Sequence, residues 1–245
     1  KPYFERFLKA LPTVEDLAQA PEEQLLKLWE GLGYYNRVRN LQRGAQAVMA
    51  EHGGVIPASF EALKKLPGIG DYTAGAIGSI AFQIPVPAVD GNVLRVISRV
   101  LYRRDNILDA KVKRRIEGEI KEILPERTGD FNQSLMELGA TVCLPNGAPK
   151  CNECPLQELC RAHLVGDEES LPVKTKAKKR KIEQRTVFLL VCDGKIALRK
   201  RPEKGLLAGL WELPSQEGML RCAEAGKLLQ TWGVRTLGEL QKQTD

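Results

Sequence analysis

The 245-residue chain contains 37 Lys and Arg against 31 Asp and Glu, a formal net charge of +6. This balance favours a polyanionic partner without establishing one. Hydrophobic residues make up 43% of the chain, enough for a core, and no apolar run approaches the roughly 20 residues that span a bilayer. The composition therefore excludes a membrane-spanning helix and favours one large or two modest folded domains.

A helical pattern, broken by polar, Pro and Gly residues, runs from the start of the chain to about Val142. Lys1 falls within this pattern, so we expect residues to precede it in the natural protein. Capping residues and apolar periodicity predict helices over residues 14–19, 22–30, 36–52, 60–66, 71–84, 91–101, 110–123 and 131–142. Helices this short are stabilised by packing on one another, so the pattern predicts a helical domain.

The segment LPGIGD, at positions 66–71, joins two of the predicted helices. Its glycines carry no Cβ, so backbone N–H groups can approach a phosphate oxygen, and the following helix N-terminus adds a partial positive charge. Such contacts position a protein on DNA without reading its sequence. An ordinary helix–turn–helix with Pro-Gly punctuation is the alternative interpretation.

Asp90 lies between the apolar run of residues 86–89 and a predicted helix. It can be simply the N-cap of that helix. The same placement fixes a carboxylate that can stabilise a positive transition state or attack a sugar carbon, as cleavage of an N-glycosidic bond requires. Tyr72, directly after the hairpin, can serve helix packing, and it stands where a lysine would permit Schiff-base chemistry.

Four cysteines follow the last of these helices with the spacing C-x7-C-x2-C-x5-C, at Cys143, Cys151, Cys154 and Cys160. Four thiolates in one short segment can hold an iron–sulfur cluster or a zinc ion. The two C-x2-C pairs of many zinc sites are not present, which favours the cluster. Reduced thiols suit an intracellular protein. The remaining cysteines, Cys192 and Cys222, lie in apolar surroundings and are predicted to be small buried side chains.

Residues 174–185 contain seven Lys or Arg and one acid, Glu183, which predicts a solvated linker. Beyond it, strand periodicity over residues 186–191 and 196–200 flanks Asp193-Gly194, a two-residue hairpin signal. A helix-like stretch covers residues 219–232. These elements predict a second domain of the α+β class, whose roughly 60 residues are few for an independent core.

Together these motifs resemble the MutY-type adenine DNA glycosylases of the endonuclease III superfamily. The resemblance covers nearly the whole chain: LGYYNR at 32–37, LPGIG at 66–70, YTAGA at 72–76, VDGNVLRV at 89–96, the four cysteines, and GLWELP at 209–214. It implies a mainly α fold with a helix-hairpin-helix glycosylase region and cluster loop at residues 1–165. A basic linker at 166–185 and a partial, pyrophosphohydrolase-like α+β recognition domain at 186–245 would follow.

The resemblance also implies an activity in base-excision repair. Adenine mispaired with 8-oxoguanine or guanine is flipped out of duplex DNA, and its glycosidic bond is hydrolysed. Asp90 is then the catalytic carboxylate, supported by Tyr72 and Asn92, and the absence of a lysine at position 72 implies little strand cleavage. The four cysteines hold a 4Fe–4S cluster. DNA is contacted by a wedge and by backbone-binding residues, namely Leu32, Tyr34, Arg37, Gly68, Ile69 and Gly70.

From the same resemblance we expect a monomer that acts on DNA, without a membrane, in the bacterial cytoplasm. Three departures from the family pattern accompany it. The family's general acid, a glutamate, is expected before Lys1. The first cysteine gap is x7 where the family usually has x6. The second domain lacks the paired glutamates that bind magnesium, and the segment expected to contact the oxidised guanine would follow Asp245.

Other functions compete with this one. The nearest is another endonuclease III-like mismatch glycosylase, and a different class is a non-catalytic DNA-binding protein with a structural metal. A redox carrier has the least support. Candidate phosphate contacts are Arg37, Arg39, Lys64, Lys65 and the linker lysines, for which an ordinary solvated face is the alternative.

Overall fold

The computed structural model describes residues 1–175 and 182–236, and it divides the chain into two compact units, Lys1–Lys176 and Ala177–Asp245. The predicted linker residues at 176–181 and the last part of the predicted second domain, 237–245, lie outside the described residues. Of the described helices, none is both long and apolar enough to cross a membrane.

The first unit is helical. Its α-helices are α1 (Pro2–Ala10), α2 (Val14–Gln19), α3 (Glu22–Leu28), α4 (Asn36–His52), α5 (Phe60–Lys65), α6 (Asp71–Phe82), α7 (Gly91–Val100), α8 (Ala110–Glu122), α9 (Thr128–Thr141) and α10 (Arg161–Leu164). Two turns of 3₁₀ helix, Cys151–Glu153 and Gln157–Leu159, lie in the cysteine segment. The prediction of a mainly helical fold is confirmed.

Side-chain caps explain where several helices begin. Thr13 forms a capping box with Asp16, and Asp109 accepts a hydrogen bond from the backbone N–H of Lys111. Sequence reasoning started α9 three residues too late, because Arg127 precedes it without a side-chain cap. It also missed the short α10, which has no capping side chain and only four residues.

Four apolar clusters lie among the described residues of the first unit, and three of them join its longer helices. One lies among α7, α8 and α9 around Val93, Ile116 and Ile120. The second joins α1, α3 and α4 around Leu25, and the third joins α4, α5 and α6 around Leu63. Full burial of each such side chain stabilises the fold by about 1.5–3 kcal/mol. The third cluster fixes the two helices that flank the LPGIGD hairpin, and the first fixes the helix that follows Asp90.

The second unit combines three strand pairs with one helix. β1 (Arg185–Val187) pairs with β6 (Ser215–Glu217), β2 (Val191–Cys192) with β3 (Lys195–Ile196), and β4 (Arg199–Lys200) with β5 (Trp211–Glu212), all antiparallel. Helix α11 (Cys222–Thr231) packs Ala225 and Leu229 against Phe188.

The predicted two-residue turn at Asp193-Gly194 is confirmed. The strands around it are shorter than predicted. Asp193 and Gly194 both have positive φ, 48° and 71°, between paired residues Cys192 and Lys195. Cys192 and Cys222 are exposed, so the prediction that they are buried is wrong. Cys192 lies in a two-residue strand beside the turn, and Cys222 is the first residue of α11, so neither reaches the apolar cluster.

Candidate active site and cysteine cavity

The hairpin between α5 and α6 turns at Gly68, where φ is +79°. A Cβ at this position would lie 2.6 Å from the Cβ of Asn40, so glycine satisfies both the torsion and the packing. Gly70 is the N-cap of α6 and has open space where a Cβ would be. An anion can therefore approach the unpaired N–H groups in the first turn of α6.

An ion pair closes this hairpin. Lys64 Nζ lies 2.7 Å from Asp71 Oδ1, and the two residues flank the turn. The hydrogen bond from Lys64 lowers the pKa of Asp71, and the same contact raises the pKa of Lys64. Lys64 therefore already has a partner, as does Arg39, which pairs with Glu22 at 2.8 Å. Among the predicted phosphate contacts, Lys65 is exposed and lies next to the turn.

Asp90 caps α7, and its carboxylate is held by three donors. Oδ1 accepts hydrogen bonds from the backbone N–H groups of Asn92 and Val93, each at 2.8 Å. Oδ2 accepts one from the side-chain amide of Asn92 at 2.9 Å. These three donors hold the half-buried carboxylate in a fixed orientation.

The segment that leads to Asp90 is fixed by close contacts with two helices. Asn132, fully buried in α9, donates to Val86 O and to Ser79 Oγ, both at 2.9 Å, and accepts from the N–H of Ala88 at 3.2 Å. A Cβ on Gly75 would lie 2.2 Å from the carbonyl oxygen of Pro87, so α6 can touch this segment only because the residue is glycine. These contacts hold in place the segment that leads to the Asp90 carboxylate.

Tyr72 lies in the first turn of α6, directly after the hairpin. Burial raises the pKa of its hydroxyl, and the negative charge of Asp90 raises the pKa further. The hydroxyl also contacts Met136 Sδ at 3.5 Å. Tyr72 is therefore within electrostatic reach of the Asp90 carboxylate, to which Asn92 donates a hydrogen bond.

A buried arginine connects Asp90 with the cysteine segment. Arg95 Nη2 donates to Asn92 Oδ1 at 2.8 Å and to Gly139 O at 2.6 Å, and its Nε donates to Cys143 O at 2.8 Å. A Cβ on Gly139 would lie 2.5 Å from the Cβ of Asn92, so this glycine lets α9 approach α7. A continuous chain of hydrogen bonds thus runs from the carboxylate to the backbone of the first cysteine.

The four cysteines of the motif line one cavity, together with Arg99, His163 and Glu168. Burial, followed by the contact with Glu168, raises the pKa of Cys151 to about 11. Burial also raises the pKa of Cys160. Soft sulfur donors that converge on one enclosed space are the donor set of a zinc or iron–sulfur centre.

The ligand atoms of the cavity are not grouped as they are in a four-cysteine zinc site. Around a single zinc ion, with Zn–S bonds of about 2.3 Å, tetrahedral sulfur ligands stand about 3.8 Å apart. Within residues 1–175 and 182–236, no three cysteine sulfurs lie within 4.8 Å of one another. The group that meets this limit is Cys151, His163 and Glu168, and its His163 Nδ1 and Glu168 Oε1 form a hydrogen bond at 2.5 Å. Among the described residues, the four sulfurs are therefore not grouped as the ligands of one zinc ion.

The predicted wedge residues occupy an exposed turn between α3 and α4. Tyr34 is 76% exposed with φ +50°, an uncommon value for a residue other than glycine. Leu32 is also exposed. The Arg37 guanidinium lies 4.7 Å from the centre of the Tyr34 ring, which is a cation–π contact. These side chains are presented to solvent on a turn that is separate in sequence from the Asp90 site.

Comparison with known proteins identifies the family of the helical region. The family of HhH-GPD superfamily base excision DNA repair proteins matches residues 1–122. The chain belongs to this superfamily. A solved thymine-DNA glycosylase is similar at 28% identity and a TM-score of 0.60, covering 67% of this chain and 76% of that one. An endonuclease III, solved in a non-covalent DNA complex, is similar at 29% identity and a TM-score of 0.58, with the same coverage.

Curated relatives are named adenine DNA glycosylase. The protein from Rattus norvegicus is 39% identical over 87% of this chain and 50% of its own length. The protein from Arabidopsis thaliana is 40% identical over 87% of this chain and 39% of its own length. The chain therefore spans about half or less of the length of these relatives. The resemblance to this superfamily, inferred from the motifs, is confirmed.

Sequence reasoning missed the buried polar residues that support the site. Asn132, Arg95 and Arg99 were not singled out, because a polar residue within an apolar helical pattern usually faces solvent. The sequence carries one weak signal of their burial. Arg95 and Arg99 lie among apolar residues in α7, and both are buried in the structure. His163 and Glu168 also escaped notice, since their meeting depends on the turn that follows α10.

Proposed function

We propose that the protein is a monofunctional DNA glycosylase that hydrolyses the N-glycosidic bond of adenine mispaired with 8-oxoguanine or guanine. The observation that carries the proposal is Asp90, a preorganised carboxylate whose charge acts on Tyr72. Tyr72 directly follows a hairpin whose N–H groups are open to a phosphate. The names of the curated relatives support adenine as the base.

In the proposed reaction, the bond between the sugar C1′ and the base breaks, and its electron pair leaves with adenine. Asp90 stabilises the resulting oxocarbenium-like sugar, an interaction whose loss typically costs about 3–4 kcal/mol of barrier stabilisation. Water adds to C1′ and loses a proton. The departing base also takes up a proton, which we assign to an acid other than Asp90, because Asp90 acts as a carboxylate in this reaction.

Tyr72 favours hydrolysis without strand cleavage. A phenol cannot form the imine with C1′ that a lysine amine forms. Its raised pKa keeps the hydroxyl neutral at physiological pH. Leu32 and Tyr34 are proposed to fill the gap left by the flipped base, and Gly68, Ile69 and Gly70 to bind the strand's backbone, together with Arg37.

We further propose a 4Fe–4S cluster held by Cys143, Cys151, Cys154 and Cys160. The support is their common cavity and the finding that, within residues 1–175 and 182–236, no three cysteine sulfurs lie within 4.8 Å of one another. When bound, such a cluster supplies one-electron chemistry and cross-links the loop. Iron and inorganic sulfide in equal amounts, with no zinc, are the expected result of metal analysis; stoichiometric zinc without sulfide would contradict the assignment.

We propose that the domain predicted over residues 186–245 is a recognition module that follows a basic linker. Glu212 is committed to ion pairs with Arg199 and Arg201, and the contact with Arg199 is the largest cause of its lowered pKa. A carboxylate held in this way is a poor magnesium ligand. We also propose that the protein works as a monomer on DNA in the bacterial cytoplasm.

The test is a duplex assay with adenine opposite 8-oxoguanine, run on this chain and on one extended at its N-terminus. Strand breaks that appear only after alkali would support a monofunctional glycosylase. Breaks without alkali would contradict that assignment. A thymine-mismatch duplex serves as the comparison, because a solved thymine-DNA glycosylase is among the similar structures. Release of thymine but not adenine would favour that second function, and tight binding with no release of either base would favour a non-catalytic protein.

A further inference from the structure

Helix α7 carries a second buried arginine one turn after Arg95. Arg99 is 2% exposed, and Arg95 is 4% exposed. A buried guanidinium loses its hydration and is normally matched by a carboxylate or another anion. Arg95 reaches towards Asp90 through Asn92, whereas Arg99 points to the cysteine cavity, which it lines.

Among the residues that the structure describes, no carboxylate is a partner of Arg99. Its Nε donates to Glu168 O at 2.8 Å and to Leu171 O at 3.0 Å, and its Nη1 donates to Leu144 O at 2.9 Å. The fourth contact joins Nη1 to Cys143 Sγ at 3.2 Å. The Glu168 carboxylate is directed to His163 instead. In the described part of the chain, the partner of Arg99 that can carry negative charge is therefore the Cys143 sulfur.

We propose that Arg99 is the built-in counter-charge of the cysteine cavity, binding the Cys143 thiolate and offsetting the negative charge of the cluster that the four thiolates hold. This inference rests on the proposed cofactor. Arg99 donates to the carbonyl of Leu144, directly after Cys143, and to those of Glu168 and Leu171, after Cys160, and these contacts hold its guanidinium in place. An N–H···S bond and a nearby positive charge stabilise the more reduced, more negative state of a cluster and strengthen its retention.

Arg99→Gln removes the charge, and Arg99→Lys keeps it with fewer donors. The exposed Arg161, next to Cys160, offers a control with the same change in net charge, Arg161→Gln. The measurements are iron and sulfide per chain, the half-time of iron loss to a chelator, and the reduction potential by voltammetry, all without DNA. Circular dichroism reports folding.

We expect Arg99→Gln to lose iron roughly tenfold faster, the low end for loss of an outer-shell partner, and to shift the potential to a more negative value. Arg99→Lys should keep a potential near that of the parent, and Arg161→Gln should match the parent in both. A parent-like potential and retention in Arg99→Gln would overturn the inference. If Arg99→Gln does not fold, Arg99→Lys provides the test. Because lysine keeps the positive charge, a large negative shift of the reduction potential in Arg99→Lys would overturn the inference. If the parent chain contains no iron and sulfide, the proposed cofactor itself is refuted. Adenine release is assayed separately, because it tests the proposed glycosylase activity.

Discussion

Asp90 combines two roles in one side chain, that of a helix cap and that of a charged group. Asparagine caps helices about as well as aspartate, and alanine does not. We expect Asp90→Ala to lower the free energy of unfolding by about 1 kcal/mol or somewhat more and Asp90→Asn to change it little, because the amide oxygen can still accept from Asn92 and Val93. Denaturant unfolding of both variants measures this, and an equal loss in both would show that the charge stabilises the fold.

The ion pair between Lys64 and Asp71 at the hairpin makes the stability of the fold depend on pH. The folded-state pKa of Asp71 lies below its ordinary value of 3.8 because of Lys64. The pair's contribution to stability is therefore fully present above the ordinary pKa and is lost as pH falls through the lower folded pKa. In Lys64→Gln, the Asp71 pKa should return towards its ordinary value, as followed by carboxyl NMR titration; an unchanged pKa would mean that another group holds it down.

At the scale of elements, the close approach of α7 and α9 depends on Gly139. A Cβ there would lie 2.5 Å from the Cβ of Asn92. Gly139→Ala should therefore destabilise the protein by about 1–3 kcal/mol, the usual cost of overpacking. Gly118, inside α8, has nothing within 4 Å of the added methyl group, so Gly118→Ala should be neutral or stabilising by up to about 1 kcal/mol. Denaturant unfolding of the pair checks this, and equal effects would contradict the packing argument.

The helices could be predicted from sequence because their signals are local. Thr13, Ser59 and Asp109 accept hydrogen bonds from the first turns of their helices, as their residue types predict. The contacts that support Asp90 could not be predicted, because Asn132 and Ala88 meet across 44 positions of sequence. The burial of Cys192 was predicted wrongly for a related reason, since the composition of a strand does not reveal which of its faces is covered.

At the scale of the whole molecule, the positive charge predicts salt-dependent DNA binding. Each phosphate contact adds about 0.9 to the slope of log affinity against log salt on duplex DNA. Lys65 is exposed beside the hairpin, and Lys121 is exposed at the end of α8. Lys65→Gln should weaken binding and reduce this slope by about one, whereas Lys121→Gln should leave it nearly unchanged. Fluorescence anisotropy over a range of salt concentrations measures both, and identical slopes would exclude Lys65 as a phosphate contact.

The central claim is that the charge of Asp90 drives release of the base. The most direct measurement is single-turnover adenine release from a duplex with adenine opposite 8-oxoguanine, using the N-terminally extended chain. Asp90→Asn should slow release by at least 100-fold, since loss of such an electrostatic partner costs about 3–4 kcal/mol, while duplex binding persists. Asp109→Asn, which changes the same residue type at the cap of α8, should release adenine at the parent rate. Release by Asp90→Asn at the parent rate would contradict the account.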